Sequence, residues 1–293
     1  MVRRLSVKSP GIATIGLMLA ACTPQGVSED ATVEAASAPA AQSAAAPADF
    51  SRLEGRPDLN GLWQTNASAN WNLEAHSSED LPQFPGLGAS AAIPAGVSYV
   101  DTPDNEIPYL PDALAAREEN RAGWPATDPE TKCYMPGIPR AAYMPYPFHI
   151  VQGNRDILFA YEFATANRVV NMGEPESAVV PTWMGTSNGR WEGDTLVVEV
   201  TGNNDLAWYD RAGNYRSTST VVTERYTKVS EDRIDYEATI SDPTLYSEDW
   251  TIRLPLYRRD EPNARILEFK CVPFSEEMLY GHLVRRDDEA AEE

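Results

Sequence analysis

The chain has 293 residues, with 44 Asp and Glu against 24 Lys and Arg and a formal net charge of −20. That balance disfavours nucleic acid as a partner, because such affinity comes largely from Lys and Arg neutralising phosphates, and it disfavours anionic lipid head groups for the same reason. The first residues read as a targeting segment and are set aside before the fold is considered. Arg3, Arg4 and Lys8 form a positive start, Gly11 to Ala21 is a short apolar run, and Leu19-Ala20-Ala21-Cys22 places two small residues before a cysteine. The run falls short of the ~20 residues that cross a bilayer as a helix.

This order of features resembles the precursors of bacterial lipoproteins, in which the cysteine sulfur is acylated and the leader is cut on its amino side. The resemblance implies a signal peptide over residues 1–21 and lipidation at Cys22, with several acyl chains giving a stable anchor where one is marginal. Thr23 stands where the inner-membrane retention signal of such proteins would be Asp, which points to the outer membrane, with the protein facing the periplasm. Residues 22–49 are rich in Ala, Ser and Pro and read as a flexible tether. A single β-rich domain is expected over residues 50–286, and residues 287–293 read as an acidic, solvated tail. With Cys22 assigned to lipid, Cys133 and Cys271 remain as an even pair, and export predicts that they form a disulfide. No zinc-ligand spacing is present, and His76, His149 and His282 are scattered, so no structural metal site is expected, with a divalent cation at a surface carboxylate cluster left open.

In chain order, Asp58-Leu59-Asn60-Gly61-Leu62-Trp63-Gln64 reads as a turn entering a short strand, with Trp63 as core anchor. Residues 70–108 lack sustained periodicity and read as a long loop, of the kind that is functional or draped over a fold. Pro111 opens a helix through Arg121, with Gly123 as its stop. After a Pro-rich knot from Met135 to Pro147, short alternating runs predict strands over 148–151, 156–163, 168–172, 188–191, 195–201, 219–228, 233–240, 250–257 and 265–272. Glu192-Gly193-Asp194 marks a hairpin. Strands in this number and in meander order leave sheet edges that invite aggregation, and closure removes them. The expected fold is therefore mainly β, an antiparallel up-and-down barrel with one short helix and long N-terminal loops; a two-sheet sandwich is the alternative.

Gly61-Leu62-Trp63 resembles the glycine-x-tryptophan opening of lipocalin-like (calycin) barrels, and that likeness implies a late-strand arginine over the tryptophan, either Arg258 or Arg259. A broader likeness rests on Ile107-Pro108-Tyr109, on Cys133-Tyr134-Met135-Pro136-Gly137-Ile138-Pro139-Arg140 and on Asn188-Gly189-Arg190-Trp191-Glu192-Gly193-Asp194-Thr195-Leu196. Those segments resemble an uncharacterised family of exported bacterial lipoproteins and imply no activity or site.

Several residues are candidates for chemistry. In the strand over 220–228 one face carries Val222, Glu224 and Tyr226 and the other Val221, Thr223 and Arg225, so whichever face is inward brings a charge with it. Glu224 and Tyr226 are expected to meet the polar end of a ligand, unless the charge is salt-bridged to a neighbour. The loop Asn203–Arg211 mixes Asp205 and Asp210 with Trp208 and Tyr209, a combination suited to a pocket mouth or simply to turns. Arg140 can orient an anion by its planar fork or brace the knot, and His149 can serve as a base or as a structural donor. No nucleophile elbow, phosphate loop or dinucleotide fingerprint is present, so no cofactor is expected.

Three functions fit these residues. The first is an envelope protein whose barrel binds a small apolar or aromatic ligand, with Glu224, Tyr226, Trp208 and Tyr209 as its contacts. The second is a cofactor-independent lyase, isomerase or hydrolase using Asp205, Asp210, His149 and Arg140. The third is an interaction protein without a pocket. The first requires an apolar pocket, the second convergent acid and base groups, and membrane contact is expected through the lipid alone.

Overall fold

The alternation in the sequence becomes the inside–outside alternation of a closed barrel. The computed structural model describes residues 50–81 and 92–272. In chain order its strands are β1 (Arg52–Leu53), β2 (Arg56–Pro57), β3 (Gly61–Gln64), β4 (Glu79–Asp80), β5 (Ala92–Ile93), β6 (Phe148–Gln152), β7 (Asp156–Tyr161), β8 (Asn167–Asn171), β9 (Thr186–Glu192), β10 (Thr195–Thr201), β11 (Val221–Ser230), β12 (Arg233–Ser241) and β13 (Trp250–Arg258). The leader, Cys22 and the tether lie outside the described residues, as does the acidic tail. β3 and β6 to β13 form one closed barrel in sequence order, while β1–β2 and β4–β5 are separate two-stranded ribbons. Closure rules out the sandwich.

A closed ring with an odd number of strands cannot alternate direction all the way round, so one neighbouring pair must run parallel. That pair is β8–β9, joined at only two positions, Val170↔Ser187 and Asn171↔Asn188. Every other neighbouring pair is antiparallel. The parallel connection takes residues 172–185 across the outside, because a hairpin turn cannot join parallel strands.

Inward positions hold the core. Val222, Glu224, Tyr226 and Lys228 of β11 are all buried, as are Ile234, Tyr236, Ala238 and Ile240 of β12, and Trp250, Ile252, Leu254 and Leu256 of β13. Trp63 is fully buried, with its indole donating to Leu59 O at 2.9 Å. The arginine over Trp63 is Arg258, its guanidinium carbon 4.5 Å from the ring centroid. Arg258 also donates to Asn60 O at 2.8 Å and to Glu231 O at 2.8 Å. Gly61, at φ +142°, leaves the space this guanidinium fills, and a Cβ there would collide with it.

The described parts of the segment between β3 and β6 are held against the barrel. β13 meets β3 only at Tyr257↔Gln64 and Arg258↔Trp63, and the remaining edge of β13 is covered by residues 99–101 through Asp101 N→Thr251 O at 2.8 Å and Arg253 N→Tyr99 O at 3.0 Å. The helix α1 spans Pro111–Gly123 with proline in its first turn, and it buries Ala113 and Arg117. Cys133 and Cys271 are disulfide-bonded, with Cα atoms 5.7 Å apart.

Residues 265–272 are not a strand, against the sequence expectation. β13 already pairs with β3, so the closed barrel offers no edge to another strand. The segment instead straps the outside, where Phe269 packs on Phe163 and Tyr146, Leu267 N donates to Glu162, and Cys271 is tied to Cys133.

Candidate functional site

The charge expected inside the barrel is Glu224, fully buried on β11. It is not left alone. Arg168, inward on β8, donates from Nη1 to Glu224 Oε2 at 2.6 Å and from Nη2 to the Tyr226 hydroxyl at 3.0 Å. Tyr226 and Tyr236 each donate to Glu224 Oε1 at 2.8 Å. The guanidinium also lies 4.6 Å from the centroid of Phe159, its cross-strand partner. Burial works against the charge on Arg168, yet the Glu224 carboxylate more than reverses this and holds its pKa well above the ordinary arginine value. Burial, reinforced by Glu224, raises Tyr226 and Tyr236 as well, so both stay protonated donors. Arg168 Nε and the Tyr161 hydroxyl lie in the same interior, and among the described residues neither makes a hydrogen bond of normal geometry.

A second polar cluster brings together Arg140 and Asp210. Arg140 is fully buried and grips Asp128 with both Nη atoms at 3.1 Å while its Nε donates to Asn70 at 2.8 Å. Glu130 accepts from Arg140 and from Arg211. Burial opposes the charge on Glu130, but the two guanidinium groups hold its pKa below the usual carboxylate range. Asp210 accepts from the amides of Leu73, Ala212 and Asn214 and from Asn214 Nδ2 at 2.7 Å. Burial nevertheless pushes Asp210 up to about 6. Arg140 therefore braces the Pro-rich knot, and Asp210 organises its own loop.

Within the motif Cys133–Arg140, Gly137 and Ile138 pack against another buried cation, Arg216. Its N–H groups reach the carbonyls of Asn204, Ile138 and Trp183 and the side-chain oxygens of Asn203 and Asn204. Among the described residues no carboxylate is hydrogen-bonded to it, and burial lowers its pKa to about 10. Gly137, at φ +73°, permits this approach, since a Cβ would come within 2.7 Å of Arg216 Nη1.

The remaining candidates stand apart. His149 points outward from β6 and is exposed. Asp205 is exposed in the loop after β10. Trp208 and Tyr209 are buried, with Tyr209 packed edge-on against Trp250 and its carbonyl accepting from Tyr143. Asp205, Asp210, His149 and Arg140 thus form no shared acid–base site. Glu224 and Tyr226 adjoin each other and are bound to the interior network, while Tyr209 packs against Trp250.

Of the clefts among the described residues, one of about 670 Å³ lies at the parallel seam. β8 and β9 pair only from Val170 onward, so Asn167, Arg168 and Val169 face Met184, Gly185 and Thr186 across it. Its apolar wall comes from Trp183, stacked on Tyr134 at 5.0 Å, together with Met135 and Met184. Ser187 also lines it, 3.4 Å from Arg168 Nη1, so the cleft adjoins the interior ion pair. Asp156, Glu176, Asn171 and Thr182 supply polar lining. Sequence reasoning missed this site because its aromatic wall sits in the 172–185 connection, which carries no strand period. The available signal was Arg168, a lone cation at an inward position of an apolar strand. Among the described residues no cluster of His, Cys, Asp and Glu is placed to hold a metal ion.

The chain matches no protein-family model, no curated protein and no solved structure. The class defined by fold and site is a closed, mainly β barrel with a filled polar centre and a lateral cleft at its parallel seam.

Proposed function

We propose that this chain is an envelope lipoprotein, held by lipid at Cys22 on the periplasmic side of the outer membrane, whose barrel carries a small ligand with an apolar or aromatic body. The observation that carries the binding reading is the cleft of about 670 Å³ walled by Trp183, Met135 and Met184. Its size falls within the usual range of small-molecule sites, and its lining sets Met135, Val169, Trp183 and Met184 beside polar side chains such as Asn167, Asn171 and Thr182. The flexible thioethers suit a ligand of adaptable shape. The ligand site moves from the barrel centre to its flank, because Glu224 and Tyr226 already satisfy one another and Arg168. An enzyme using Asp205, Asp210, His149 and Arg140 is the weaker reading, since these groups take separate partners and exposures.

The envelope placement is supported by the leader and the small residues before Cys22. The Cys133–Cys271 bond fits a compartment in which disulfides persist. The acidic balance leaves lipid, and neither nucleic acid nor head-group charge, to hold the protein at its membrane.

The test is a fluorescence titration of the mature protein with the neutral aromatic probe N-phenyl-1-naphthylamine. Saturable binding with Kd on the order of micromolar is expected, weakened about tenfold by Trp183→Ala or by Met135→Glu at a partly exposed position. Absence of saturable binding, or binding indifferent to both substitutions, would refute the proposal.

A further inference from the structure

The charge lining the cleft is one-sided. Asp156 and Glu176 are exposed carboxylates on its wall. Among the described residues neither side chain makes an ion pair or a hydrogen bond. The cation of the lining is Arg168, and it is consumed by Glu224 at 2.6 Å, so the interior pair is neutral as a unit. A ligand in this cleft therefore meets two uncompensated negative charges beside an aromatic wall.

We infer, building on the binding role proposed above, that the ligand is an organic cation: an amine or a delocalised or quaternary cation on an apolar or aromatic body. Three physical effects favour this class. A cation that seats its body against Trp183, Met135 and Met184 needs opposite charge at hand to offset its lost hydration, and Asp156 and Glu176 supply it. The face of an indole attracts a cation through its quadrupole, and Trp183 offers an indole stacked on Tyr134 at 5.0 Å. The net charge of −20 enriches cations near the protein and speeds their encounter. An organic anion meets two like charges at the cleft, the repelling face of the indole and a repelling field, and the cation among the described lining residues, Arg168, is already paired with Glu224.

The experiment compares two dyes built on the same ring system, cationic rhodamine 6G and anionic fluorescein, with neutral N-phenyl-1-naphthylamine as reference, on the mature chain at low salt. Rhodamine 6G is expected to bind at least about tenfold more tightly than fluorescein. The double substitution D156N/E176Q should remove most of that preference, read as the ratio of the two dyes' affinities within the variant. E119Q/E248Q alters net charge equally at exposed positions away from the cleft and should keep the preference. Equal binding of the two dyes, or equal loss of preference in both double variants, overturns the inference while leaving the binding role intact. Failure of all three probes to bind overturns both.

Discussion

Arg168 Nη1 and Glu224 Oε2 lie 2.6 Å apart at the centre of the barrel, on strands far apart in sequence, each side chain almost wholly withdrawn from water. Breaking such a pair from one side strands the other charge, which typically costs ~3–5 kcal/mol. Arg168→Met and Glu224→Gln are each expected to destabilise the fold by that order in denaturant melts. The double variant should cost clearly less than the two singles added, because no charge is then left buried. Additive losses would mean that the two side chains do not act as a pair.

Asp210 supplies the clearest dependence on pH. Burial, opposed by its N–H donors, lifts its folded pKa to about 6 from an ordinary value of 3.8. The folded state thus binds the proton more tightly than the unfolded chain does. The corresponding stability is fully present below the unfolded pKa and is lost as pH rises through about 6. Its size is on the order of 3 kcal/mol by linkage. Urea melts across this window should show stability from this group falling with pH, and Asp210→Asn should flatten that component of the slope.

The disulfide joins positions separated by 138 residues and pins the strap over residues 265–272. Closing a loop of this length stabilises a fold by up to ~5 kcal/mol in the chain-entropy model. C133S/C271S is expected to lower Tm in calorimetry and to expose the strap to protease before the barrel. A reductant should reproduce the effect in the parent chain and leave the variant unchanged.

Gly61 and Arg258 are coupled through the space over Trp63. Gly61→Ala should be strongly destabilising, both because of its φ of +142° and because the new Cβ meets the Arg258 guanidinium. Arg258→Ala removes the cation over the indole, worth ~0.5–2 kcal/mol. In the double variant the collision is gone, so the combined loss should fall below the sum of the two. Equilibrium unfolding of the four proteins measures the difference.

The strands were legible because apolar and polar residues alternate along them, and the helix because Pro111 and Gly123 bracket it. The inward face of β11 was not, since Glu224 and Arg225 put a charge on each side and the partner that decides the matter, Arg168, sits 56 residues away. Nor was the seam: local pattern does not count how many strands share one ring, and that count forces β8 and β9 into parallel. Residues 265–272 carry a strand-like alternation with no sheet edge to receive it. Asp205, Asp210, His149 and Arg140 looked alike as polar residues near turns, yet burial separates them. Asp210 and Arg140 are sealed in ion and amide contacts, whereas His149 and Asp205 face solvent.

Methyl NMR on the mature protein labelled at methionine tests the seam cleft as a ligand site most directly. With saturating N-phenyl-1-naphthylamine, the Met135 and Met184 resonances should shift together, while Met144, which does not line the cleft, stays in place. Shifts confined to Met144, or no shift in any methionine methyl at saturation, would contradict the account.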